Sequence, residues 1–476
     1  MKPLFSSLLI AGLALALTGC EVGADYKPPE PVIPADWASS GAQTISPKAK
    51  IDQTWWANFN DPVLTRLIDK AAADNLDLKI AEARIAEARA GVAEADAALL
   101  PSGDVKGTAT REANQMAMPG GNSNPFSSLL HKPFNLYQTG FDASWEMDLF
   151  GGNRRAEEAA KAQMQASEAS RDDARVSLLA EVARDYVAVR AAQAQLSIAE
   201  AVFAADRKTL DIARQRFEAG EASRLDVTQA DAVLEHARTQ IPTLRNQIAQ
   251  SEFSLDVLLG AQPGTARGIV GAPAPVPVSD KKLVLAAPAS VIAQRPDIRV
   301  AERKLAAATA QQGAALAKFF PDISLSGFFG ALNTSTSKLV TGGNQSWVAS
   351  GSVLWPILSY NSLSANLHTV DAQQQEALAS YQKTVLSALS DVERSLSAYT
   401  QQENFLQASA SEVKKTELSR AIAKKRFQEG ETSRLAVLDA DRALYDAQTR
   451  LIEARAEDSQ NLIAVYKSLG GGWVKG

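Results

Sequence analysis

Few residues in this 476-residue chain have the type and spacing that chemistry needs. The only thiol is Cys20, which excludes an intrachain disulfide and any multi-cysteine zinc site. His131, His236 and His368 are scattered, without metal-ligand spacing. His131 falls in a Gly/Asn/Pro-rich loop, and the other two fall on expected helices, so packing or surface roles are expected of all three. No Walker loop, HExxH or nucleophile elbow occurs. Gly120-Gly121-Asn122 and Gly342-Gly343-Asn344 could cradle a phosphate in isolation, but they separate paired strand-like runs and read as hairpin loops. An enzyme is not expected. Net charge is −5, so the chain lacks the basic excess of a nucleic-acid binder.

The context of Cys20 predicts a different chemistry. Lys2 precedes an uncharged apolar run from Leu4 to Leu17, too short to span a bilayer comfortably and typical of a signal segment. Leu17-Thr18-Gly19-Cys20 then resembles a bacterial lipobox, with cleavage before Cys20 and lipid on its sulfur. The alternative is an ordinary secretory signal with a coincidental cysteine. Glu21, rather than Asp, follows the cysteine, which by resemblance to bacterial sorting rules favours the outer membrane. Residues 1–19 are thus expected to be removed, and the lipid on Cys20 is the only non-protein group expected.

The elements beyond that point come in two copies. Arg216-Phe217-Glu218-Ala219-Gly220 through Ser223-Arg224-Leu225 recurs as Arg426-Phe427-Gln428-Glu429-Gly430 through Ser433-Arg434-Leu435, an offset of 210. The register continues through Asp231/Asp441 and Leu234/Leu444 to Gly260/Gly470. Leu99-Leu100-Pro101 likewise matches Phe319-Phe320-Pro321. One tandem duplication of a unit of roughly 200 residues accounts for both. Expected boundaries are a tether and short elements over 20–60, a first copy over 61–262, a Pro-rich linker over 263–295, a second copy over 296–470 and a tail over 471–476. The proline density of residues 25–36 predicts an extended segment.

Each copy reads as helix, two strands, then a helical hairpin. Residues 76–99 and 296–319 are Ala-rich and helix-like. Tyr137, Thr139, Phe141, Ala143 and Trp145 alternate with polar neighbours, as do Trp347, Ala349, Gly351 and Val353, and Val105, Gly107 and Ala109. The run Ile323 to Gly330 is apolar on both faces. Runs of about ten residues with one apolar face fit a membrane β-barrel with a wet interior, or a small sheet with one buried face. Asn153 to Ala219 lacks proline and glycine, and as helix would run about 100 Å. Val182, Val189, Leu196, Phe203, Leu210 and Phe217 keep seven-residue spacing. So do Val392, Tyr399, Leu406, Val413 and Phe427, with Arg420 the exception. That stripe predicts coiled-coil packing. Gly220 and Gly430 would reverse the chain at tips over 218–226 and 428–436. Four strands cannot close a barrel in lipid, so copies must share one: eight strands in a dimer or twelve in a trimer.

Asp25-Tyr26, Trp55-Trp56-Ala57-Asn58-Phe59, Asp61-Pro62, Trp145 to Phe150, and Gln294-Arg295-Pro296-Asp297 running to Phe320-Pro321 resemble the TolC-type outer membrane factors, in their lipoprotein (NodT-like) branch. The resemblance covers nearly all of residues 20–470. It implies a mainly α fold with a β-barrel part: a homotrimer whose four strands per chain complete a 12-stranded barrel above an α-helical tunnel. It implies a passive exit duct in the outer membrane of a Gram-negative bacterium, partnered by a periplasmic adaptor and an inner-membrane resistance-nodulation-division transporter. Tips at Gly220, Ser223, Arg224, Leu225, Gly430, Ser433 and Arg434 would dock the adaptor, unless the glycines serve only the turn. Leu435 and Asp439 would constrict the periplasmic mouth. A further family aspartate falls on Ala436, and Asp226 of the first copy, at the equivalent place, is the candidate to supply that charge instead. Asp439 as a solvated helix residue is the bland alternative. Rival functions are a structural or adhesive lipoprotein with helical spacers, and an exit duct for protein secretion.

Overall fold

The computed structural model describes residues 21–39, 44–46, 51–112, 133–279, 281, 283–339 and 345–473. Cys20, the signal segment, His131 and both Gly-Gly-Asn loops lie outside them. Helix α1 (Pro62–Asp74) leads to α2 (Leu76–Ala98), after a three-residue strand β1 (Thr44–Ser46). Strands β2 (Ser102–Glu112) and β3 (Phe134–Met147) follow, then α3 (Gly152–Glu218) and α4 (Arg224–Leu258). The linker holds α5 (Thr265–Val270), β4 (Val284–Ala286) and α6 (Pro288–Gln294). The second copy repeats the order: α7 (Pro296–Ala317), β5 (Asp322–Asn333), β6 (Gln345–Leu354), α8 (Tyr360–Gln428) and α9 (Arg434–Ser468).

These bounds match the expected elements to within a few residues. Helix α3 runs unbroken for 67 residues and α8 for 69. Proline is excluded from both, and their seven-residue stripes are buried at Val182, Val189, Leu210, Val392, Tyr399 and Val413. Arg420, the exception in the stripe, is paired at 2.5 Å with Asp441 across the second hairpin. Pro242 sits inside α4 without ending it.

The chain folds into two compact units, and neither corresponds to one copy. The first comprises the residues up to Pro29, Ala86–Ala166 and Glu302–Ser380; the second comprises Glu30–Ile85, Ser167–Ala301 and Tyr381–Gly476.

The first unit carries an antiparallel sheet in the order β2-β3-β5-β6. Its register aligns Val105, Phe141, Phe329 and Trp347 in one row across all four strands. All four are exposed, Val105 at 85% and Trp347 at 73%. The other face carries the row Ser102, Ser144, Ser326 and Ser350. Hydroxyls join Ser102 to Ser144 at 2.9 Å and Ser326 to Ser350 at 2.8 Å. Side-chain alternation with period two thus gives one apolar and one hydroxyl-rich face. The two-sided apolarity of β5 has a local reason. Phe328, on the polar face, lies over Gly140 and Gly330, where an added Cβ would meet its ring at 2.5 and 2.7 Å. The ring covers the backbone those glycines leave bare, as aromatic residues do beside strand glycines.

Both copies tie strand to helix in the same way. The Trp145 indole N–H donates to the Leu99 carbonyl at 3.0 Å, and Trp355 donates to Phe319 at 3.1 Å. Each carbonyl is one that a helix end leaves without a partner. Trp145→Phe combined with Trp355→Phe should lower stability by about 1–3 kcal/mol per chain, one ordinary hydrogen bond each. The measurement is the thermal midpoint of the purified protein, and an unchanged midpoint would rule out the tie.

The second unit has a buried core. Trp55, Leu64, Leu67, Leu179, Tyr186, Leu255, Leu396 and Leu462 are all fully buried. Asp61 caps α1 by accepting from the N–H groups of Val63 and Leu64, and Pro62 occupies the first helical position. Its other oxygen accepts from the Tyr186 hydroxyl at 2.7 Å. Arg190 donates to that hydroxyl and to the carbonyls of Val270 and Ala272. Arg295 holds Asp297 at 2.6 Å and donates to the Ser468 carbonyl at 2.5 Å, joining α7 to the end of α9. Over the described part of the tail, Gly471, Gly472 and Trp473 are buried, and Gln53 accepts from the backbone N–H groups of Gly472 and Trp473. Strand β1 pairs in parallel with β4, a link across the linker that the sequence did not predict.

Candidate functional site

The two hairpin tips are built alike, 210 residues apart. Gly220 has φ 76° and Gly430 φ 77°. Nothing lies within 4 Å of a Cβ added at either, so backbone conformation alone requires glycine there. The Glu221 N–H donates to Arg216 and the Gly220 N–H to Phe217; Glu431 and Gly430 donate to Arg426 and Phe427 in the same way. This is the Schellman pattern, which satisfies the last carbonyls of α3 and α8. Three residues on, Ser223 and Ser433 cap α4 and α9.

The caps differ in one residue. In the first tip the Asp226 N–H donates to Ser223 Oγ, and Asp226 Oδ2 accepts from the Ser223 N–H at 2.7 Å and its hydroxyl at 2.8 Å. That is a full capping box. These bonds, backbone first, hold the Asp226 carboxyl below its usual range. In the second tip only the Ala436 N–H to Ser433 bond remains, at 3.3 Å, because Ala436 has no carboxylate to return. Asp226 is therefore engaged in its own turn as well as charged. Arg434 lies over the Phe427 ring at 5.5 Å, and Arg224 and Leu225 are exposed.

A cleft of about 830 Å³ separates the two hairpins. Asp226, Ser433, Arg434, Leu435 and Asp439 all line it. The fold thus gathers the three expected gate residues into one groove, with Leu435 half-exposed. Gly220 and Gly430 in the turns, the cap Ser223, and Arg224 and Leu225 at the start of α4 are not among the lining residues.

One ion pair beside the groove has no signal in the repeat. Arg442, on the groove wall, donates through Nε at 2.9 Å and Nη2 at 2.5 Å to Oδ1 of Asp206 on α3. Asp206 is 2% exposed. The link joins the second hairpin to the first within one chain, about one turn beyond Asp439 and two beyond Leu435 on α9. Its signal was a carboxylate three residues after Phe203, on a helix face that packs. The repeat could not reveal it, because the matching positions are Thr416 and Ala232.

Among the described residues no group of histidine, cysteine and acidic side chains could hold a metal, and no helix is long and apolar enough to cross a membrane.

Comparison with known proteins agrees with the duplication. The family described as Outer membrane efflux protein matches twice, over residues 67–261 and 287–471. The antibiotic efflux pump outer membrane protein ArpC of Pseudomonas putida is 32% identical over 480 residues, covering 99% of this chain and 96% of that protein. Nodulation protein T of Rhizobium leguminosarum bv. trifolii is 30% identical, covering 97% and 96%. Among solved structures, the outer-membrane channel OprN superposes with a TM-score of 0.86 at 31% identity, covering 95% of this chain and all of that one. With one match on each copy, and relatives aligned nearly end to end, the chain belongs to the outer membrane efflux protein family.

Proposed function

We propose that this chain is one third of a passive exit duct of a tripartite efflux pump. The observation that carries the reading is the four-stranded sheet. One face exposes the Val105–Phe141–Phe329–Trp347 row, the other is hydroxyl-lined, and β2 and β6 have no further strand partner among the described residues. In lipid such edges must be paired, and three copies would pair them in a 12-stranded barrel. The apolar row then faces acyl chains and the serine row faces water. The helical hairpins continue as the periplasmic tunnel, the groove residues Leu435, Asp439 and Asp226 form its gate, and lipid on Cys20 adds an anchor. The duct is no enzyme. A periplasmic adaptor and an inner-membrane resistance-nodulation-division transporter supply and select the cargo.

Two measurements test this. The purified trimer should form channels in planar bilayers, which a structural spacer would not. Expressed with its adaptor and transporter, the chain should restore efflux. Ser223 and Ser433 are helix caps, so the docking test is better placed on exposed Arg224 and Arg434. Arg224→Glu with Arg434→Glu reverses charge at both tips while sparing the caps. Drug resistance should fall to that of cells lacking the duct, with trimer level unchanged. Full resistance in that double variant would place adaptor docking elsewhere.

A further inference from the structure

The residues that follow Cys20 do not trail into solvent. Arg155, four residues into α3, has a side chain only 4% exposed. Its Nε meets Glu21 at 3.1 Å, Nη2 meets Asp25 at 2.9 Å and Nη1 meets Glu158 at 2.7 Å. It also reaches the carbonyls of Val22 and Gly23, both at 3.4 Å. A guanidinium can bridge several acceptors because its N–H groups form a rigid planar fork. The Val22 N–H donates in turn to the Phe150 carbonyl at 3.1 Å.

Three glycines clear the path for this segment. Gly23 has φ 102°, and a Cβ there would stand 2.8 Å from Cα of Gly313 on α7. A Cβ on Gly313 would press on the Arg155 stem at 3.0 Å. A Cβ on Gly151 would meet Glu21 Cγ at 2.7 Å. Beyond the slot, the Tyr26 hydroxyl donates to Glu302 Oε1 at 2.7 Å, and its ring lies 5.6 Å from the Arg303 guanidinium.

We propose that Arg155 and this glycine-lined slot are the seat of the mature N-terminus, fixing where residue 20 leaves the protein. Glu21 and Val22 lie beside the β3–α3 turn, against Gly151 and Phe150, where Phe150 stacks on Phe320 at 4.7 Å. Resting on the lipoprotein reading, the seat sets the entry point of the acyl chains at the sheet's end. Without it, residue 20 would hang from Tyr26 on six residues, free to wander about 20 Å.

A nitroxide on Ala24→Cys, in the full-length trimer, reads the seat directly. Lipidated Cys20 carries no free thiol, so residue 24 is the single labelled position. The parent should give a slow-motion spectrum. Arg155→Ala should give a fast one, with conductance unchanged. Gly23→Val, which alters the segment and leaves α3 and α7 intact, should also give a fast spectrum. A fast spectrum in the parent, or slow spectra in both variants, would overturn the seat. Mass spectrometry of the N-terminal peptide tests the lipid separately. A free Cys20 thiol would defeat the lipoprotein reading alone, and the same spectra in a Cys20→Ser background would still decide the seat.

Discussion

Arg442→Ala is expected to raise single-channel conductance at least severalfold. Asp206 is a buried carboxylate whose partner comes from the other hairpin. Arg442 is itself about a third exposed, so removing it leaves the Asp206 charge uncompensated at the lower end of the about 3–5 kcal/mol that breaking a fully buried pair costs. The cheapest relief is for the second hairpin to move away and let water reach Asp206. Even about 3 kcal/mol moves a two-state equilibrium by roughly a hundredfold. In a trimer the same latch is lost three times. The second tip is also the less well capped, since Ala436 cannot close a capping box. Leu435 and Asp439 line the same groove, so Leu435→Ser with Asp439→Ala should add to conductance and reduce cation preference, read as a smaller reversal potential in a salt gradient. Asp206→Asn should act more weakly than Arg442→Ala, because it removes the buried charge along with the pair. Unchanged conductance in a correctly assembled Arg442→Ala trimer would show that the pair only braces the hairpins.

The hairpins were legible because their signals are local and repeated. Seven-residue spacing, absent proline and the Gly220/Gly430 match specify two long antiparallel pairs without any distant contact. The strands were legible from alternation, but their register was not. Nothing near Phe141 says that its neighbours are Val105 and Phe329. The site was half-legible. Leu435, Asp439 and Asp226 do share one groove. Yet Ser223-Arg224-Leu225-Asp226 also spells a capping box, and the structure puts the aspartate to that use. Arg442 and Asp206 were invisible because their link joins non-equivalent positions of the two copies. The prolines of residues 25–36 correctly exclude helix, but the seat for Glu21 to Asp25 depends on Gly151 and Gly313. Their need for glycine arises only when distant backbone comes close.

Asp458→Asn is expected to stabilise the protein near neutral pH and to flatten its stability across the acidic range. Asp458 sits on α9, nearly buried, and its Oδ1 has no hydrogen-bond partner. Burial, reinforced by the Glu403 charge on α8, pushes its carboxyl up to about 6. Tyr399, between the same helices, is pushed up for the same reasons. A carboxyl whose folded value lies above its unfolded value binds protons more tightly when folded. Its ionisation therefore destabilises the fold above about pH 6, and the penalty fades as pH falls towards the unfolded value near 4. A shift of about two units corresponds to about 2–3 kcal/mol per chain. Asparagine keeps the shape, carries no charge and brings an N–H donor to that buried position. The difference in thermal midpoint between variant and parent should be largest at about pH 7.5 and shrink steadily towards about pH 4.5. Taking the difference cancels the other carboxylates, which titrate in both proteins. A gap that stays constant with pH, or a variant less stable than the parent at neutral pH, would mean that the charge on Asp458 is satisfied in the assembled protein.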